Sequence, residues 1–215
     1  MSVTSPNLVK SSTRHVFTFE EKTMLKDLLL ASRSYRSFDE SLKITPEQLA
    51  DWVDHARYAP SSINLQMLKF VAVTSEALCA RLLSFTRWAG KITDMKLPPV
   101  GHAPVAYVVI CADRNVSATV EKFDKDVGIC AQTIMLAACE AGFGGCMIGS
   151  FSPSDFTEAL GLGENLVPRL VLALGKPDEA VELVGEAEDG SVTYYREGGI
   201  HYVQKRKLET ILIQK

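Results

Sequence analysis

The chain lacks the marks of several large classes of protein. No apolar run in its 215 residues approaches the roughly 18 residues of a membrane-crossing helix. Positive charge is not in excess. Lys and Arg total 23 against 26 Asp and Glu, a net charge of −3, which argues against nucleic acid or a membrane surface as the main partner. The five cysteines, Cys79, Cys111, Cys130, Cys139 and Cys146, form no C-x-x-C pair and sit in apolar runs such as Val108-Val109-Ile110-Cys111. They read as buried free thiols of a cytoplasmic protein rather than disulfides or metal ligands. His15, His55, His102 and His201 show no metal-ligand spacing. Gly142, Gly144 and Gly145 follow a helical pattern and precede a strand pattern, the reverse of a dinucleotide-binding fingerprint, so they read as a helix cap and a turn. Met1 to Ser12 is polar and has no apolar core of a secretory signal. Residues 1–15 are expected to be a flexible arm ahead of a single domain over 16–215.

Apolar residues make up 47% of the chain, enough for a full core. Thr18-Phe19-Glu20-Glu21 reads as a capping box opening a helix that runs to about Ala31, and Thr45-Pro46-Glu47-Gln48 as a second one. Leu49, Trp52, Val53 and Ala56 mark the buried face of that second helix, which Ala59-Pro60 stops. Lys69–Thr74 is β-type, and Ser75 caps a helix through Leu83. Residues 86 to 103 read as an irregular loop. Pro104–Cys111 is a strand buried on both faces, and Asp126–Ala141 an apolar helix ended by Gly142. Gly144–Gly149 is a strand, Ser152-Pro153 opens a small helix, and Arg169–Leu174 is a strand closed by Gly175-Lys176-Pro177. Residues 178–201 read as a long acidic excursion without a core pattern. Leu208–Ile213 is β-prone, a terminal segment suited to docking on a partner's sheet. Helices and strands alternate irregularly, which predicts an α+β fold with a mixed sheet.

Two segments carry the chemistry. Arg33-Ser34-Tyr35-Arg36 places two guanidinium groups and a serine hydroxyl within four residues, equipment for gripping a phosphate dianion. Pro60-Ser61-Ser62-Ile63-Asn64-Leu65-Gln66 offers a hydroxyl pair and two carboxamides, which suit the edge of a heteroaromatic ring. Together they point to a nucleotide-like cofactor. Taken alone, Arg33 and Arg36 read as charges stabilised by a helix C-terminus, worth about 0.3–1 kcal/mol each. Lys205-Arg206-Lys207 alone reads as a solvated charge run.

With these segments in order, the chain resembles the nitroreductase family of flavin enzymes from about residue 28 to 210. The matching pieces are Arg33-Ser34-x-Arg36-x-Phe38, Ala59-Pro60-Ser61-Ser62-x-Asn64-x-Gln66, Asp126-Val127-Gly128 to Ala138, Gly142-x-Gly144 to Phe151, Ala173–Pro177 and Lys205-Arg206-x-Leu208-Glu209. The resemblance implies a central mixed, mostly antiparallel sheet flanked by helices. It also implies a homodimer, with the C-terminal segment exchanged onto the partner and FMN in the subunit interface. Such an enzyme takes electrons from NADH or NADPH and passes them to nitroaromatics, quinones or similar small acceptors in a ping-pong cycle. By that likeness Arg33, Ser34 and Arg36, helped by Lys205 and Arg206, hold the FMN phosphate and ribityl chain. Pro60, Ser61, Ser62, Asn64 and Gln66 belong to the loop that reaches the flavin from the partner. Ile148, Gly149 and Ser150 present main-chain groups to its N5–O4 edge. No catalytic side chain is implied, because flavin N5 itself carries the hydride.

The chain departs from the family pattern where Met67-Leu68 replaces a common Pro-Trp, and where Gly149-Ser150 replaces an acidic residue and its turn. These departures bear on acceptor choice and potential. The alternatives are a relative that stores or consumes FMN with little reductase activity, and a non-enzymatic α+β dimer.

Overall fold

The computed structural model describes residues 25–92 and 95–215. The expected arm over 1–15 and the capping box at Thr18–Glu21 lie outside the described residues. In chain order the elements are α1 (Leu25–Ala31), β1 (Phe38–Asp39), α2 (Pro46–Arg57), β2 (Leu68–Val73), α3 (Glu76–Ser84), β3 (Ala106–Asp113) and α4 (Asp124–Glu140). There follow β4 (Gly144–Ile148), α5 (Pro153–Leu160), β5 (Leu166–Pro177), β6 (Ala180–Gly185), β7 (Tyr195–Glu197), β8 (Ile200–Lys205) and α6 (Leu208–Ile211).

The most apolar segment, β3, is buried at every position and pairs antiparallel with β2 on one edge and β5 on the other. The 12-residue β5 also pairs antiparallel with β4 over Val171–Gly175 and with the two-residue β1 at Lys176 and Pro177. Alternation along β3 and β5 divides their side chains between two cores. Val108, Ile110, Leu172 and Leu174 meet Leu49, Trp52 and Ala56 of α2 and Val127, Ala131, Ile134 and Ala138 of α4. Tyr107, Val109, Cys111, Val171 and Ala173 meet Cys79 and Leu82 of α3 and Phe156 of α5. The fold is therefore α+β, helices on both faces of a largely antiparallel sheet.

Local chemistry explains the elements read correctly. Thr45 accepts from Gln48 N–H (3.2 Å), and the Gln48 side chain accepts from Thr45 N–H (2.9 Å), the reciprocal capping box. Gly142 ends α4 at φ 77°, a left-handed position that costs glycine little.

Three readings need correction. Gly175-Lys176-Pro177 does not close β5 but continues it. The stretch 178–201 is not featureless. It contains β6, β7 and the start of β8, which form a second sheet in the order β6-β8-β7, with β6 and β8 parallel. Gly198 and Gly199, at φ 57° and 82°, make a two-residue hairpin turn between β7 and β8, for which paired left-handed residues are required. Leu208–Ile213 is not β. Leu208–Ile211 forms one helical turn, closed by Thr210, whose N–H and hydroxyl both donate to Lys207 O. A strand needs a neighbour, and this segment pairs with none among the described residues of its own chain.

Candidate functional site

The segment after α1 is tied to β4. Ser34 forms a parallel bridge with Gly145, and Tyr35 N–H donates to Gly145 O at 2.9 Å. A Cβ at Gly145 would fall 2.2 Å from Ala173 O, so only glycine lets these strands approach. This attachment turns Arg33, Ser34 and Arg36 towards a cavity of about 370 Å³, roofed by the second sheet. His201, Val203 and Lys205 of β8 line it, at the two-residue spacing of one strand face. Gln132 and Met135 of α4, Met147 of β4 and Tyr194 complete the walls.

The cavity is rich in donors and poor in acceptors. Among the described residues no carboxylate lines it, and Glu179, bonded to Arg36, is already engaged. It accepts from Arg36 N–H and from the Arg196 guanidinium. Arg36 Nη1 donates to Ser34 O (3.1 Å) and lies 3.2 Å from His201 Nε2, while its guanidinium sits 5.4 Å from the Tyr194 ring centre. Arg33 Nη2 reaches Leu29 O. Among the described residues no carboxylate forms an ion pair with Arg33 or Lys205. Arg33 Nε, Arg36 Nε and His201 Nδ1 are buried without a hydrogen-bond partner. Buried donors without partners are rare and costly. An anion with several oxygens is the kind of partner such donors lack, and it would offset the cations, which is what a phosphate supplies. Burial first, then the Arg36 and Arg196 charges, press the His201 pKa down to about 4, so the imidazole is neutral near pH 7.

The structure thus brings Arg33, Ser34, Arg36 and Lys205 together from distant parts of the chain. It places Arg206 elsewhere, with Nη1 3.6 Å from Glu186. The second chemical segment lies apart. Ser61 and Gln66 line a separate, mainly apolar cavity of about 410 Å³, with Val53, Met67, Asp126 and Cys130. Within that loop Ile63, Asn64 and Gln66 adopt φ of 49°, 54° and 49°, left-handed positions that side chains resist. A buried carboxylate holds it. Ser62 N–H donates to Asp126 Oδ2 at 2.9 Å and Ser62 Oγ donates to Asp126 Oδ1 at 2.7 Å. Pro60, Asn64 and Ile63 are left exposed. At 3.6 residues per turn, Asp126 and Cys130 face the opposite side of α4 from Gln132 and Met135, so within one chain the two chemical segments face away from each other. Ile148 is buried at the end of β4 and Gly149 is exposed. Ser150 lines a third cavity of about 540 Å³ with Phe85, Thr86 and Arg87, where Ser150 O accepts from Arg87 N–H at 2.8 Å.

Sequence reading missed His201, Tyr194, Glu179 and Asp126. A Gly198-Gly199 turn flanked by Tyr195-Arg196-Glu197 and Ile200-His201-Tyr202 was a hairpin signal that places His201 and Lys205 on one face. Nothing local signals Asp126, whose partner Ser62 is 64 positions away.

Among the described residues no helix is long and apolar enough to cross a membrane, and no group of three or more His, Cys, Asp or Glu side chains is arranged to hold a metal ion. The sequence model of the nitroreductase family matches residues 29–176. An NADPH-flavin oxidoreductase of Vibrio harveyi is 31% identical over 171 residues, covering 73% of this chain and 67% of that protein. The crystal structure of the Vibrio harveyi NADPH:FMN oxidoreductase complexed with NAD+ superposes with a TM-score of 0.57 at 31% identity, covering 72% of this chain and 69% of that one. A nitroreductase family protein from Streptococcus pneumoniae TIGR4 is similar in fold, with a TM-score of 0.67 at 17% identity over 89% of this chain and 100% of its own.

Proposed function

Because the chain belongs to the nitroreductase family, we propose that it is an FMN-dependent oxidoreductase that draws on NADH or NADPH to reduce small electrophilic acceptors such as nitroaromatics or quinones, in a ping-pong cycle. The Vibrio harveyi relative, an NADPH-flavin oxidoreductase, supports the donor and the cofactor. The observation that carries the reading is the cavity where Arg33, Ser34, Arg36 and Lys205 converge with buried donors unpartnered.

In this reading those four residues grip the phosphate and fix the register of the nucleotide. Bound there, FMN would supply the redox chemistry, taking a hydride at N5 and giving it up to the acceptor. The exposed turn at Gly149-Ser150, beside the Ser150 cavity, would offer main-chain groups to the ring edge, and Arg87 at the same cavity would be a candidate cation for its N1–O2 side. The loop at 60–66 faces the other way across α4. We therefore assign it to the flavin of a second copy, in a homodimer whose two sites are shared. Exposed apolar side chains support assembly: Leu25, Leu29 and Leu30 on α1, and Leu208, Ile211 and Ile213 on the terminal segment, which we propose is exchanged onto the partner. The small-residue turn needs no acid–base side chain, in keeping with a reaction centred on the cofactor. Five free thiols, four of them buried, suit a reducing, cytoplasmic setting.

The test is direct. Freshly isolated protein should be yellow, bleach with NADH or NADPH under anaerobic conditions, and regain colour on adding a quinone or nitroaromatic. Flavin that stays oxidised with both nicotinamides would favour the alternative of FMN storage or consumption. Protein that cannot be loaded with FMN at all would remove the assignment.

A further inference from the structure

Resting on that FMN reading, we propose that His201 is a further ligand of the anion site, a neutral imidazole that donates its Nδ1–H to the bound phosphate. The tautomer follows from a neighbour that cannot accept. A guanidinium has only donors, and Arg36 Nη1 lies 3.2 Å from His201 Nε2. Nε2 therefore accepts, and the single proton of the neutral ring sits on Nδ1. That N–H has no partner among the described residues although the residue is 1% exposed. Its ring lines the same cavity as Arg33, Arg36 and Lys205.

The surroundings hold the ring in place and keep it neutral. Tyr194 packs against it with ring centres 5.4 Å apart, and the same Tyr194 ring lies under Arg36. Arg36 comes from the segment after α1, Arg196 from β7 opposite His201 in register, and Lys205 from further along β8. Glu179 has both carboxylate oxygens engaged, one by Arg36 N–H and the other by Arg196, and makes no hydrogen bond to the ring. A charged ring would also turn an N–H against the Arg36 N–H. Burial and the two guanidiniums depress the pKa to about 4, in accord with the neutral form that the geometry requires. The site thus combines cations that attract any anion with one uncharged donor of fixed direction, which favours a tetrahedral oxyanion with an oxygen to spare over a simple carboxylate.

Histidine-selective 15N NMR of the flavin-free protein at pH 7 tests this, with the His201 signal identified by its loss in His201→Asn. The expected pattern is a protonated Nδ1 and an unprotonated Nε2. The Nδ1–H proton should move downfield when FMN or inorganic phosphate is added, and stay in place with riboflavin. In parallel, His201→Phe should weaken FMN roughly ten- to a hundredfold and leave riboflavin affinity unchanged. An Nε2–H tautomer, an Nδ1–H that ignores both FMN and phosphate, or equal weakening of FMN and riboflavin would each overturn the proposal. A response to inorganic phosphate in a protein that does not bind FMN would uphold His201 as an anion ligand and remove the FMN reading instead.

Discussion

Replacing Asp126 with alanine should release the loop at 60–66, and the structure sets the scale of the effect. Asp126 is 2% exposed and accepts both the N–H and the hydroxyl of Ser62. Two hydrogen bonds to a charged group contribute about 1.5–3 kcal/mol each. They hold a stretch in which Ile63, Asn64 and Gln66 all have positive φ, at a cost of about 1 kcal/mol or more per residue. Without the carboxylate, the bonds are lost and the loop recovers part of its strain. The net destabilisation of Asp126→Ala should then be about 2–4 kcal/mol, or a fall in Tm on the order of 10 °C for a domain of this size. Urea unfolding of the wild type, Asp126→Ala, Ser62→Ala and the double variant measures it, and the double-mutant cycle should return a coupling of about 1–3 kcal/mol. In the proposed enzyme the freed loop would weaken FMN and riboflavin alike, because it serves the ring and not the phosphate. A loss below about 0.5 kcal/mol, or additive single effects, would show that the carboxylate does not hold the loop.

Three other outcomes follow from the same geometry. Arg33→Ala should lower FMN affinity roughly ten- to a hundredfold while sparing riboflavin; stoichiometric FMN retained through gel filtration and dilution would contradict the phosphate role. Because the folded pKa of His201 is lowered to about 4 from the usual 6.5, its contribution to stability is complete above pH 6.5 and is lost as pH falls towards 4. The wild type should therefore lose more stability than His201→Asn between pH 7 and pH 4.5, and parallel denaturation midpoints would refute this. Gly145→Ala drives a methyl into Ala173 O and should cost about 1–3 kcal/mol while loosening the Arg33–Arg36 segment, which hangs on Gly145 O; unchanged thermal melting would count against it.

What the sequence disclosed was local or borne by the family likeness. The capping box at Thr45 and Gln48, the all-buried β3 and the left-handed stop at Gly142 depend on residues a few positions apart, and all stand where their chemistry puts them. The second sheet was hidden because half of its evidence is distant: β6 and β8 pair in parallel across 20 positions, and exposed acidic side chains mask the short apolar alternation of Val181 and Leu183. The convergence of Arg33 with Lys205 came from likeness to a family, since no periodicity links positions so far apart. The hairpin signal at Gly198-Gly199 reaches only the strand face of His201; what makes His201 and Asp126 informative is burial, a missing partner and a neighbour far away in sequence.

The orientation of α4, with the cationic cavity on one side and the left-handed loop on the other, has a genetic consequence. Should the two surfaces meet only across a pair of subunits, a copy crippled in Arg33 and a copy crippled in Asn64 would rescue one another. Each mixed pair would hold one undamaged centre and one doubly damaged centre. Co-expressing two inactive alleles would then restore part of the turnover that neither produces alone.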